Sequence, residues 1–66
     1  MNKEYFNTVV DILNKRYSKE AINQVQEIAS GYYEHLKDRN EFEEWLADYC
    51  LDSIQELFEE YQVDWE

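Results

Sequence analysis

The stretch EFEEWLADYCLDSIQELFEEYQ, residues 41–62, decides both the fold class and the functional question. Phe42, Trp45, Leu46, Tyr49, Cys50, Ile54, Leu57, Phe58 and Tyr61 recur at helical spacing, with Ser53 among them. The stretch therefore reads as one long amphipathic helix. On a wheel of about 100° per residue the apolar side is about 200° wide, running from Trp45 round to Phe58 and Leu51. Cys50 falls inside that arc and reads as a core residue. The narrow remainder carries Glu41, Glu44, Asp48, Asp52, Gln55 and Glu59, with Glu56 at its margin. From residue 41 to the end there are ten acids and no Lys or Arg.

A helix built for stability alone would not be written this way. Glu44–Asp48, Asp48–Asp52, Asp52–Glu56 and Glu56–Glu60 are like-charge i,i+4 pairs, each destabilising by roughly 0.2–0.5 kcal/mol. Glu59, Glu60, Asp64 and Glu66 crowd the C-terminal end, where the helix dipole favours cations. The whole net charge of −10 comes from residues 34–66, which hold twelve acids against Lys37 and Arg39. Residues 1–33 balance four bases with four acids.

Working back from residue 41, Asp38/Glu41 and Asn40/Glu43 both have the spacing of a capping box and mark the helix start. Before them, Ala21, Ile22, Val25, Ile28, Ala29, Tyr32 and Leu36 share one face. They predict a second helix over 19–37, with Gly31 as the weak point that either ends it or kinks it at Ser30-Gly31. Ser18 sits as its N-cap with Glu20 in the first turn. Phe6, Val9, Val10, Leu13 and Tyr17 form the stripe of a first helix over 3–17. The expectation is an all-α fold: a single domain over 1–66, a small three-helix bundle with a long acidic C-terminal helix over 41–62.

A chain of 66 residues has a marginal core, and one cysteine offers neither a disulfide nor a thiolate zinc cage. The 17% aromatic content argues against disorder despite the charge. No leader-like apolar run opens the chain and no apolar run exceeds three residues, which predicts a cytoplasmic protein with no membrane partner.

His35 is the only histidine, and it reads as a surface residue. There is no HExxH, P-loop or dinucleotide fingerprint, so neither an enzyme nor a cofactor is expected. One convex carboxylate face lacks the converging oxygens that a calcium or magnesium site needs, so no metal is expected either. Direct nucleic-acid binding is disfavoured by the charge. The bases Lys15, Arg16 and Lys19 at the first joint are expected to pair with the chain's own acids.

Unpaired acids call for a basic partner. Eight carboxylates between Glu41 and Glu60 would span ~29 Å of helix, one per ~3.6 Å, close to the ~3.4 Å charge spacing of a DNA strand. In character (short, acidic, aromatic-rich, helical) the chain is similar to the small inhibitors that phages and mobile elements use against host nucleic-acid enzymes, DNA mimics and anti-CRISPR proteins among them. That similarity implies occupation of a basic nucleic-acid-binding surface on a partner protein. The expected contacts are Glu41, Glu44, Asp48, Asp52, Glu56 and Glu59, with Trp65 adding apolar area. The alternative is a helical homodimer or adaptor that binds through the apolar face of the third helix, its acids serving solubility.

Overall fold

A computed structural model describes residues 3–64. The chain is an all-α small helical bundle, and among the described residues it contains no strand. Its helices are α1 (Lys3–Arg16), α2 (Lys19–Tyr32), α3 (Arg39–Ala47) and α4 (Leu51–Glu60), with a 3₁₀ turn over Glu34–Lys37. α3 packs on α1, and the 3₁₀ turn packs on α2 and α3.

The first joint forms as its residues dictate. Tyr17 closes α1 by donating to Leu13 O at 2.9 Å. Ser18, in extended conformation, accepts the Ala21 N–H on its Oγ at 3.1 Å. That hydroxyl satisfies one of the orphan donors of the α2 N-terminus. Val9 and Leu13 of α1, Tyr17 just after it, and Ala21, Ile22, Val25 and Ala29 of α2 are buried in one core. The Tyr17 ring stacks on Phe58 with centroids 4.1 Å apart, which ties the joint to α4.

The second helix stops five residues short of the expected Lys37. Tyr33 adopts φ −132°, ψ 99°, and the chain tightens into the 3₁₀ turn that still delivers Leu36 to the core. Gln26 anchors this turn by donating through Nε2 to Leu36 O at 3.0 Å and Lys37 O at 3.1 Å. Arg39 Nη1 donates to Gln26 Oε1 and Asn23 Oδ1, locking the start of α3 onto α2. Of the two candidate caps it is Asp38 that acts: its Oδ2 accepts the Glu41 N–H at 3.0 Å.

The long C-terminal helix expected over 41–62 is two helices. α3 ends at Ala47 with Asp48 as its C-cap, Tyr49 donates back to Leu46 O, and Cys50 is extended at φ −75°, ψ 161°, as the N-cap of α4. The burial pattern favours the break. On one continuous wheel the buried pair Phe42/Leu46 would point about 120° away from the buried pair Ile54/Phe58. The break re-aims α4 so that all four side chains reach one core, where each is essentially inaccessible. The wide apolar arc was the trace of two faces superposed.

α4 ends in a Schellman motif. Val63 donates to Phe58 O and Gln62 to Glu59 O, both at 3.0 Å. Gln62 takes the left-handed φ of 57°, and Val63 is buried beneath the last turn.

Candidate interaction surface

The expected acidic ridge becomes two short stripes. Glu41, Glu44 and Asp48 fall within about 60° of each other on the outer face of α3. Asp52, Glu56, Glu59 and Glu60 fall within about 100° on the outer face of α4. All seven are exposed. The extended backbone at Cys50 takes Asp48 and Asp52 out of helical register, so that one like-charge pair disappears. Asp52–Glu56 and Glu56–Glu60 persist inside α4. Trp65, the remaining expected contact, lies outside the described residues.

Counter-charges are scarce. Arg39 Nε lies 3.8 Å from Glu43, and Lys37 lies 3.9 Å from Glu34. Among the described residues no Lys or Arg pairs with Glu41, Glu44, Asp48, Asp52, Glu56, Glu59 or Glu60. Lys15, Arg16 and Lys19, expected to pair with the chain's own acids, stand exposed and form no ion pair among the described residues. Long side chains on an exposed joint gain little from reaching anions through water. Apart from Glu43, the acids of α3 and α4 remain without an ion pair among the described residues.

A second feature escaped the helical wheel. The end of α2, the α3–α4 break and the end of α4 converge into an aromatic face. Tyr32, placed on the core stripe by periodicity, is 73% exposed, Tyr33 is 51% exposed and Tyr49 is 37% exposed. Trp45 and Tyr61 are half-buried behind them. The rings pair in two neighbouring sets: Tyr32–Tyr61 at 6.4 Å, and Tyr33–Trp45 at 6.2 Å with Trp45–Tyr49 edge-on at 5.3 Å. His35, exposed, sits edge-on to Tyr33 at 6.4 Å. Burial first, and then the charges of Tyr32, Glu60, Tyr49 and Tyr33, push the Tyr61 hydroxyl above the usual tyrosine pKa. The six tyrosines of the sequence were the available signal, since a core this small has no room for so many hydroxyls.

Cys50, expected in the core, is exposed at the break. Its Sγ lies 3.1 Å from Ser53 Oγ. That hydroxyl, followed by the backbone N–H groups of Ser53 and Asp52, holds the thiol below its ordinary pKa. A shallow groove of about 280 Å³ between the starts of α1 and α3 is lined by Lys3, Phe6, Asn40 and Glu44. Among the described residues no three His, Cys, Asp or Glu side chains converge on a point that could hold a metal ion. No described helix is long and apolar enough to cross a membrane.

No protein-family model, curated protein or solved structure matches this chain.

Proposed function

We propose that this chain is a non-enzymatic acidic binding protein that occupies a basic, nucleic-acid-binding surface of a partner protein, in the manner of a DNA mimic or anti-CRISPR-like phage inhibitor. One observation carries the reading: seven exposed carboxylates on the outer faces of α3 and α4 form no ion pair among the described residues. Two like-charge pairs retained in α4 cost stability in a domain with little to spare. Solubility alone is served equally well by mixed signs. A partner lined with Lys and Arg, as phosphate-binding channels are, supplies the missing counter-charge and draws the chain in by electrostatic steering.

The homodimer or adaptor alternative places its contact on the apolar arc of the third helix. Phe42, Leu46, Ile54 and Phe58 of that arc are buried in the chain's own core, which leaves that reading only the partly exposed Trp45, Tyr49 and Tyr61 side.

The test is retention of proteins from a lysate of the source organism on immobilised chain as ionic strength rises. The control carries Glu44→Gln, Asp48→Asn and Asp52→Asn together. Charge-led capture fades steeply between about 50 mM and about 300 mM salt as the Debye length shrinks, and the neutralised control captures little even at low salt. Capture indifferent to both salt and neutralisation would overturn the reading.

A further inference from the structure

We infer that the aromatic face formed by Tyr32, Tyr33, Trp45, Tyr49 and Tyr61 is an arginine-binding surface, which seats guanidinium groups of the basic partner between ring faces and neighbouring carboxylates. It rests on the proposed function and narrows the partner's chemistry from basic to arginine-bearing.

The composition of the face selects its occupant. Four of the five aromatics have an acid close by along the chain: Glu34 follows Tyr33, Glu41 lies one turn before Trp45, Asp48 precedes Tyr49, and Glu60 precedes Tyr61, whose hydroxyl feels its charge. A purely apolar partner would strip water from those carboxylates and leave them unpaired, at a large desolvation cost. A second copy would set one anionic rim against another, each on a chain of net charge −10. Nucleobases stack on such rings, but their phosphates would be repelled by the same charge. A guanidinium meets both demands, because its plane stacks on the ring while its edge donates to a carboxylate. Lysine, a strongly hydrated point charge, meets the second demand and only weakly the first.

The fold carries a working example at the border of this face. Arg39 places its guanidinium carbon 5.6 Å from the centroid of Phe42 while its Nε lies 3.8 Å from Glu43. Phe42 is itself 6.0 Å from Trp45, the centre of the aromatic group. Tyr32, Tyr33, Trp45 and Tyr49 present the same two chemistries, and no Lys or Arg of the described chain lies over their rings.

The experiment compares octa-arginine with octa-lysine, peptides of equal charge, binding to the full chain at low salt. Affinities come from calorimetry, and Trp45 fluorescence is read in a Trp65→Phe background. The native chain should prefer the arginine peptide by about five-fold or more, since a cation seated on an exposed ring is worth about two- to five-fold and the hydrated ammonium gains little of this where the planar guanidinium stacks. The fluorescence of Trp45 should change with that peptide. Replacing Tyr32, Tyr33 and Tyr49 with Ala should bring the preference close to one while leaving octa-lysine affinity in place. The Phe versions at the same positions should retain the preference, which separates loss of rings from loss of fold. Equal binding of the two peptides by the native chain overturns the inference and leaves charge-led function standing. Binding of neither peptide overturns both. A preference that survives in the Ala variant places it on the carboxylates and overturns the aromatic assignment. Self-association that the Ala variant abolishes would give the face to a second copy instead.

Discussion

Glu56→Lys should make this protein more stable. Glu56 lies on the outer face of α4, exposed, one turn from Asp52 and one turn from Glu60. Each like-charge pair at that spacing costs roughly 0.2–0.5 kcal/mol, and each opposite pair returns a similar amount. Reversing both gives about 0.8–2 kcal/mol before correction. A lysine one turn N-terminal to Glu60 is the less favourable order for such a pair, so about 1 kcal/mol is a realistic gain. Glu and Lys have similar helix propensities, which leaves charge as the cause. For a domain of this size that gain raises Tm by about 4–8 °C. The assay is urea and thermal unfolding at low salt, repeated in about 1 M salt, where a Debye length of about 3 Å should erase most of the difference. An unchanged or lowered midpoint at low salt would refute the reasoning, as would a gain that salt does not touch. The same substitution should weaken binding to a basic partner, separating what α4 does for function from what it does for stability.

Gln62→Gly should stabilise the chain by about 1 kcal/mol, because glycine accepts the left-handed conformation that Gln62 is held in without a Cβ penalty. Urea unfolding checks it, and Gln62→Val should move the midpoint the other way. Tyr61 has its folded-state pKa raised, first by burial and then by its anionic neighbours. The unfolded chain therefore loses that proton first as pH climbs. The Tyr61 contribution is intact below the unfolded tyrosine pKa of about 10 and is lost as pH rises from there through the folded value. Unfolding midpoints from pH 8 to pH 11 should fall less steeply for Tyr61→Phe than for the native chain. Cys50, exposed and hydrogen-bonded to Ser53, should react with iodoacetamide at neutral pH faster than an unstructured cysteine. Mass spectrometry should show the reaction slowing in Ser53→Ala.

Local chemistry was legible wherever one side chain decides one turn. Ser18 caps α2, Asp38 caps α3, and the α1 stripe of Val9, Leu13 and Tyr17 faces the core as its periodicity requires. The break at Asp48–Cys50 was not legible as a break, because neither Pro nor Gly marks it. Its traces were indirect: an apolar arc too wide for one helix, and a like-charge Asp48–Asp52 pair that the extended Cys50 dissolves. Placing Cys50 in the core followed from treating that arc as a single face. Tyr32 shows the same limit at the end of α2. It keeps the phase of the α2 stripe, yet the chain turns away at Tyr33 and leaves it in solvent. The acids of the candidate surface could be named from composition and spacing alone. The aromatic face could not, since it is assembled by tertiary packing from the ends of α2, α3 and α4.

If the acids of α3 and α4 stand where a nucleic acid would otherwise lie, chain and duplex must compete for one surface. The most direct measurement is that competition: a protein captured by the immobilised chain is challenged with excess duplex DNA, beside the Glu44→Gln/Asp48→Asn/Asp52→Asn variant. Duplex DNA should displace the captured protein, and the neutralised variant should fail to hold it. Retention of the same protein in the presence of DNA, by native and neutralised chains alike, would contradict the proposed role of the acids.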